Sequence, residues 1–358
     1  MRTVLSATVY LDHAAGSPPR PEVVAAMAEV MARPGNPSSP HAPGRHAREL
    51  LERSRRELAA RLGVATDRVV FTAGGTEANN LALLGLPGPR LVSTIEHASV
   101  LEADPTASHA PVDPEGVIDL VALERLLTER RPRLVALMLA NNETGAVQPV
   151  REAARLVHAA GALLHCDAVQ AFGKIPAMLP DLGVDTLSVS AHKLGGPPGV
   201  GALVLGPEIE PTALLRGGGQ ESRRRAGTPN LPGIVGFATA LDLGTDWDAI
   251  ANLRVELERG AVACRRDALV LAAGAPRLPS ITCLATPGRG GEVQLMTLDL
   301  AGIGVGIGAA CSSGRIAPSH VLSAMGLPSE VARCAIRISL GWNSTAADVA
   351  AFLAAWRA

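Results

Sequence analysis

The chain of 358 residues is long enough for two domains, and its 33 basic and 34 acidic side chains nearly balance. This balance provides no basic surface for nucleic acid or for an anionic membrane, so we expect neither as a partner. The N-terminal apolar stretch is too short for a signal peptide, and no run approaches the roughly 20 apolar residues of a membrane span. We therefore expect a cytoplasmic protein that acts on small molecules.

Five cysteines are present, at positions 166, 264, 283, 311 and 334, and no two of them form a C-x-x-C pair. An odd number without such a pair argues against a disulfide framework and against a structural zinc site, and we expect no metal. Free cysteines usually behave as small buried hydrophobic residues. Cys311 differs because it lies in GIGAACSSGR, whose small residues are typical of an exposed mobile loop. The pattern leaves both a structural and a reactive role open for this thiol.

The first predicted element is a helix over residues 44–63, in which Glu49 and Arg53 are spaced for an ion pair and a glycine closes the segment. From Val69 to Val204, short apolar runs alternate with helical stretches. The runs that we interpret as strands are RVVFT, RLVST, RLVALMLA, ALLHCD, TLSVS and GALVLG. This alternation predicts a mainly parallel sheet wrapped by helices.

The pattern changes after about Gly236. A long amphipathic stretch over residues 246–270 is followed by short strands and by a final helix, AADVAAFLAAWRA. These segments predict a smaller α+β domain entered by a helix. In the first half, Pro105 argues against a full helix in the segment that follows His97.

Polar residues follow five successive strands of the predicted sheet, at the edge where ligands bind in open α/β folds. After RVVFT, the segment AGGTEANN offers free backbone amides and a hydroxyl to a phosphate at a helix N-terminus. Asp167 ends a buried strand, so its carboxylate needs a cationic partner to offset desolvation. The other strand ends bring His97, the segment NNETG, and Ser190, His192 and Lys193. One shared ligand explains these residues better than five separate structural roles.

Pyridoxal 5'-phosphate (PLP) fits this set of residues. The cofactor needs a lysine amine, an acidic partner for its ring nitrogen, and a phosphate cradle of backbone amides and hydroxyls. Lys193 is then an amine nucleophile at the edge of the sheet, and Asp167 is the acidic partner. The glycines and prolines of LGGPPG turn the backbone sharply away behind Lys193.

The sequence resembles the cysteine desulfurases, the NifS-like group of the class V aminotransferases among fold-type I PLP enzymes. The motifs that carry the resemblance span nearly the whole chain in the order of the family, and include YLDHAAGSP, GNPSSPHAPGR, FTAGGTEANNLAL, NNETGAVQPV, HCDAVQAFGK, SVSAHKLGGPPGVGAL, GGGQESRRRAGTPN, GAACSSG and IRISLG. The resemblance implies a mainly parallel seven-stranded sheet with helices on both faces, in a large PLP-binding domain over residues 12–235. A smaller α+β domain, made of residues 1–11 and 236–358, would carry the cysteine loop.

The resemblance also implies roles for individual residues. Lys193 matches the Schiff-base lysine, Asp167 the pyridinium partner, and Gln170 the donor to the phenolic oxygen of the cofactor. His97 matches the residue that stacks on the ring and acts as acid and base. The residues that match the phosphate cradle are Gly75, Thr76, Ser190, His192 and, from the other subunit of a homodimer, Thr228. Those that match the substrate site are Arg337, which clamps the carboxylate, Asn36, which assists it, and Asn142, which lies beside the cofactor.

The implied reaction is the PLP-dependent removal of sulfur from L-cysteine. In such enzymes the residue at Lys193 removes the α-proton and the thiolate at Cys311 attacks the substrate sulfur. The products are L-alanine and a persulfide on Cys311, which passes its sulfur to an acceptor protein. The sequence does not identify that acceptor, and iron–sulfur cluster assembly and tRNA thiolation are both open destinations.

Other functions on the same fold are a selenocysteine lyase, a cystine or cysteine-sulfoxide lyase, and an aminotransferase. Cys311 distinguishes these classes, because a transaminase has no use for that thiol. A non-catalytic scaffold subunit is a further alternative from a different class. The joint presence of Lys193, Asp167, His97, Cys311 and Arg337 argues against it.

Overall fold

The computed structural model of the chain describes residues 9–308 and 319–357. Its larger sheet has seven strands in the order β2-β8-β7-β6-β5-β3-β4. Their bounds are β2 Val69–Thr72, β3 Arg90–Ser93, β4 Ser108–Ala110, β5 Leu134–Ala136, β6 Leu163–Asp167, β7 Thr186–Ser190 and β8 Gly201–Leu205. β8 runs antiparallel to both of its neighbours, β2 and β7, and the other pairings in this sheet are parallel. The predicted seven-stranded, mainly parallel sheet is confirmed.

Helices pack against this sheet, and two hydrophobic clusters cover it, one containing Val135 and Leu187 and the other Val70 and Val92. The helices are α1 Pro21–Met31, α2 Ala42–Leu62, α3 Gly75–Gly85, α4 Ala98–Leu101, α5 Leu120–Arg130, α6 Val150–Ala159, α7 Leu179–Leu182 and α8 Leu231–Leu243. The short α4 ends before Pro105, as predicted. The predicted helix over 44–63 is α2, and Gly63 ends it in the left-handed conformation at φ 70°.

The remaining elements include an antiparallel three-stranded sheet, in the order β12-β10-β9. Their bounds are α9 Trp247–Cys264, β9 Leu269–Leu271, β10 Ile281–Ala285, α10 Gly291–Leu300, β11 Ile303–Gly304, α11 His320–Ala324, α12 Ser329–Ala332, β12 Ala335–Ser339 and α13 Ala346–Arg357. The first strand, β1 (Val9–Tyr10), pairs in parallel with β11. A separate core forms here and includes Leu11, Leu257, Ile336 and Phe352.

The division into a larger domain over 12–235 and a smaller domain of 1–11 and 236–358 remains a prediction. The predicted boundary between residues 235 and 236 falls inside α8. Phe237 and Leu241, which follow it, pack in the same hydrophobic cluster as Val135 and Leu187 of the large sheet. The amphipathic stretch over 246–270 forms α9 only as far as Cys264, because its last residues belong to β9. Within the described residues, no helix is long and apolar enough to cross a membrane.

Candidate active site

Lys193 lies in the short 3₁₀ turn that follows β7, at the carboxyl edge of the large sheet. Its Nζ donates hydrogen bonds to the carbonyl oxygens of Ala14, at 2.6 Å, and Ala15, at 2.9 Å. Burial, followed by the charge of Arg337, lowers the pKa of Lys193 from 10.5 to about 8. A substantial fraction of this amine is therefore neutral near pH 8, as a nucleophile or a base requires.

Asp167 is the last residue of β6 and is 7% exposed. Its Oδ1 accepts from the amide of Val169 at 2.9 Å, and its Oδ2 accepts from Nδ2 of Asn79 at 2.7 Å. Both donors are neutral, and no ion pair joins Asp167 to a residue in 9–308 or 319–357. The buried carboxylate therefore retains the need for a cationic partner that the sequence predicted.

Asn79, in α3, is a residue that sequence reasoning missed. Its Nδ2 also lies 2.9 Å from Oγ of Ser99, and its Oδ1 lies 3.0 Å from Nε2 of His165. Because Asn79 offers its oxygen to this ring, Nε2 of His165 donates and Nδ1 accepts from the hydroxyl of Thr186 at 2.8 Å. Burial lowers the pKa of His165 to about 3, so the ring is neutral. This chain of hydrogen bonds fixes the orientation of the Asp167 carboxylate.

His97 lies just before α4, on the exposed edge of the site. Its Nδ1 accepts from the amide of Ser99 at 3.1 Å and lies 2.8 Å from the hydroxyl of that serine. Nδ1 is therefore the unprotonated nitrogen, and Nε2 carries the proton of the neutral ring. Ser99 also contacts Asn79, so His97 and Asp167 belong to one hydrogen-bonded cluster.

Gly75 and Thr76 are the first two residues of α3, and no side chain in the described part of the chain caps this helix. The backbone amides of its first turn are therefore available to an anion. Ser190 and His192 lie on the neighbouring β7 edge, with Oγ and Nδ1 2.7 Å apart. Burial, then the charges of Lys193 and Lys174, lower the pKa of His192 to about 4. His192 is therefore a neutral hydrogen-bonding group.

Thr228 is exposed in the segment that precedes α8. In the same segment, Nε of Arg225 pairs with Oε1 of Glu77, in the first turn of α3, at 2.8 Å. The fold thus brings this segment to the predicted phosphate site of its own chain. The assignment of Thr228 to a partner subunit remains a prediction.

Arg337, in β12, is 7% exposed. Its Nη2 lies 2.8 Å from Oδ1 of Asp12, and its Nη1 donates to the carbonyl oxygen of Asn142 at 3.0 Å. The structure thus brings Arg337 and Asn142 together, and sequence reasoning missed Asp12. The side-chain hydrogen bond of Asn36 is local, to the amide of Ser38, and does not join Asn36 to Arg337.

Gln170 follows β6 and is buried. Its Nε2 donates to the carbonyl oxygen of Ala14 at 2.8 Å, and its Oε1 accepts from Nζ of Lys174 at 3.3 Å. Burial, then the charges of Lys193 and Arg337, lower the pKa of Lys174 to about 7. The carbonyl oxygen of Ala14 therefore accepts hydrogen bonds from both Gln170 and Lys193. Lys174 is a second buried lysine in the site.

Cys311 lies outside the described residues, so its position relative to Lys193 remains a prediction. Among the other four cysteines, Cys166, Cys283 and Cys334 are buried and Cys264 is half-buried. Burial, with the charge of Glu143, raises the pKa of Cys283 to about 12, and burial also raises the pKa of Cys166. These two thiols are therefore poor nucleophiles, in agreement with the structural role expected of them.

Comparison with known proteins supports the same family over nearly the whole chain. The chain is 44% identical to a cysteine desulfurase of Cereibacter sphaeroides over 95% of its length and 92% of that protein. The structure of a NifS-like protein from Rickettsia africae is 34% identical, with a TM-score of 0.91 and 98% of both chains covered. A structure described as SspA in complex with cysteine is 28% identical, with a TM-score of 0.83 over 94% of this chain and 99% of the other.

The profile of the class V aminotransferases matches residues 9–352. This range includes every element that positions Lys193, Asp167 and Arg337. The chain therefore belongs to the class V aminotransferase family.

Proposed function

We propose that this protein is a cysteine desulfurase that uses PLP to remove sulfur from L-cysteine and passes the sulfur to an acceptor through Cys311. The observation that carries the proposal is the placement of the Lys193 amine, with its lowered pKa, at the same sheet edge as the buried Asp167 carboxylate. The uncapped N-terminus of α3 lies at the same edge. The relatives named cysteine desulfurase, and the one solved with cysteine, favour this activity within the family.

The residues present fit PLP. When bound, the cofactor supplies an electron sink for the carbanion that forms at the substrate α-carbon. Asp167, which lacks a cation among the described residues, would face the ring nitrogen, and Gln170 would donate to the phenolic oxygen. The ring of His97 would stack on the cofactor. The phosphate would be held by the amides of Gly75 and Thr76 and by Ser190 and His192, with Thr228 as the proposed contribution of a second subunit.

Arg337 would bind the substrate, and Lys193 would remove its α-proton. Arg337 binds the α-carboxylate, and Asn142, whose carbonyl oxygen orients the guanidinium, lies beside it. Nζ of Lys193 takes the α-proton, since its pKa of about 8 leaves much of the amine unprotonated at a mildly alkaline pH. Deprotonation of Lys193 thus predicts a rise in turnover between about pH 7 and pH 9.

The sulfur step would need no external oxidant. The Cys311 thiolate attacks the substrate sulfur, the carbon–sulfur bond breaks, and its electron pair stays with carbon, which takes a proton on the way to L-alanine. The sulfur remains on Cys311 as a persulfide. The acceptor that then takes the sulfur stays unidentified, and cysteine and selenocysteine remain alternative substrates.

A serine at position 311 tests this function. We expect Cys311→Ser to bind PLP and L-cysteine like the wild type and to release almost no sulfide, because a hydroxyl forms no persulfide. Cys264→Ser is the matched control, since Cys264 is half-buried and lies on α9, in the smaller core. The measurements are alanine and sulfide production, with mass spectrometry of the wild-type persulfide. Undiminished sulfide release by Cys311→Ser would instead indicate a lyase without a protein thiol.

A homodimer with shared sites is part of the proposal. If Thr228 serves the partner subunit, a mixed dimer of Lys193→Ala and Thr228→Ala chains contains one intact site. Equal mixing makes about half of the dimers mixed, with one intact site of two in each, so we expect it to restore about a quarter of the wild-type activity per site. No gain on mixing, with mixed dimers shown by mass spectrometry, would place Thr228 in the site of its own chain.

A further inference from the structure

The predicted carboxylate clamp has a neighbour on each side of its guanidinium. Arg337 donates one hydrogen bond from Nη2 to Oδ1 of Asp12 and one from Nη1 to the carbonyl oxygen of Asn142. Nε of Arg337 is buried without a hydrogen-bond partner among the described residues. Two of the five N–H groups of this arginine are thus engaged in fixing it, and one hydrogen on each terminal nitrogen remains for a ligand.

Gly306 faces the same guanidinium across an antiparallel bridge. The amide of Gly306 donates to the carbonyl oxygen of Arg337 at 2.9 Å, and the amide of Arg337 donates back at 2.7 Å. A Cβ placed on Gly306 would lie 2.8 Å from Nη2 of Arg337, 2.8 Å from Oδ1 of Asp12 and 3.1 Å from Nε of Arg337. The ion pair therefore occupies the space that a side chain at 306 would need.

Asp12 begins the turn that also holds the lysine. The amide of Ala15 donates to the carbonyl oxygen of Asp12 at 3.0 Å, and Nζ of Lys193 donates to the carbonyl oxygens of Ala14 and Ala15. The carboxylate clamp and the reactive amine are thus connected through one four-residue turn. Their spacing must match that between the carboxylate and the α-carbon of one amino acid.

We propose that Asp12 is a positioning residue for Arg337, and that the absence of a side chain at Gly306 is required for this arrangement, so that the two together set affinity for the substrate α-carboxylate. The inference rests on the proposed function, since it assumes that Arg337 binds an amino acid. Displacing the ion pair rotates the guanidinium away from the ligand and leaves the cofactor contacts of Asp167 and Lys193 in place.

The test compares Gly306→Ala with Gly304→Ala in the PLP-loaded protein. Gly304 is the matched control, because a Cβ there would meet its nearest atoms at an ordinary 3.8 Å. We expect Gly306→Ala to raise KM for L-cysteine about tenfold or more, the effect of weakening a charge-assisted hydrogen bond, with kcat changed less than about threefold. Gly304→Ala should match the wild type. Asp12→Asn should shift KM in the same direction as Gly306→Ala.

Binding without turnover separates this inference from the proposed function. L-Alanine and cysteamine, an amine that lacks the carboxylate, are titrated while the visible absorbance of bound PLP is followed. Gly306→Ala should weaken the binding of alanine about tenfold and leave the affinities for cysteamine and PLP unchanged. Equal weakening of both ligands, unchanged alanine binding, or tighter alanine binding by Asp12→Asn would overturn the inference. An absence of sulfide release from the wild type would contradict the proposed function alone.

Discussion

Replacing Lys174 by methionine is expected to stabilise the protein near neutral pH. Lys174 is 7% exposed, its Nζ makes one hydrogen bond within the described residues, at 3.3 Å, and it lies 5.9 Å from the ring centroid of Trp247. Burial is the largest cause that lowers its pKa, from 10.5 to about 7, followed by the charges of Lys193 and Arg337. Methionine has a similar length and no charge to desolvate.

The pH dependence follows from the two pKa values. In the unfolded chain Lys174 keeps its proton up to about pH 10.5, whereas in the folded protein it loses the proton near pH 7. The unfolded state binds more protons between these values, so this lysine destabilises the protein increasingly as the pH falls through that range. A pKa lowered from 10.5 to about 7 corresponds to about 5 kcal/mol, fully developed below pH 7.

Urea unfolding of the cofactor-free proteins at pH 7, 8 and 9 measures the effect. The free energy of unfolding of Lys174→Met minus that of the wild type should be about 4 kcal/mol at pH 7 and fall by about 1.4 kcal/mol per pH unit. Lys174→Arg is the control, because arginine stays charged: its free energy of unfolding relative to the wild type should fall with pH at the same slope but lie below that of Lys174→Met at every pH. A difference between Lys174→Met and the wild type that is independent of pH would refute this reasoning.

Three further substitutions test buried charges and the reactive amine. Burial raises the pKa of Glu96 well above its usual value, so Glu96→Gln, which resembles the protonated acid, should change the free energy of unfolding by less than about 1 kcal/mol. A loss above about 3 kcal/mol would show a charged carboxylate. Glu221→Gln removes the 2.6 Å ion pair of the buried Arg55 and leaves its 3.2 Å pair with Glu52, so it should cost about 1.5–3 kcal/mol in urea unfolding; a loss under about 0.5 kcal/mol would contradict this. In Lys193→Ala, borohydride should no longer attach PLP to the chain, and a wild-type label on Lys174 by peptide mapping would reassign the amine.

The sequence predicted the sheet and the edge where its site lies because both depend on local patterns. Apolar runs bounded by turns identified six strands of the large sheet. β4 was not among those runs, since it has three residues, Ser108–Ala110, and its central His109 is exposed. A short edge strand of this kind has no apolar run to reveal it. The predicted boundary at 235/236 has no turn signal in the sequence, since it lies inside α8, whose buried apolar residues continue past it to Leu241.

Polar partners that meet from distant parts of the chain could not be predicted. Asn79 lies 88 positions before Asp167, and Asp12 lies 325 before Arg337. A single sequence shows that a buried carboxylate needs a partner but not which residue supplies it. TEANN carries a signal for a helix N-terminus that could bind a phosphate, and none for an amide that bonds the carboxylate at the end of β6.

The turn from Asp12 to Ala15 gives the N-terminal segment a role that its apolar pattern did not indicate. Asp12 pairs with Arg337 on the small sheet, and Ala14 and Ala15 accept hydrogen bonds from Lys193 on the large one. The amide of Ala14 also donates to Oγ of Ser339, at the end of β12. In the proposed reaction one amino acid is bound by Arg337 and deprotonated by Lys193, so the geometry of this turn would set the distance between the two groups. A change in this turn should therefore alter substrate affinity before it alters the stability of either core.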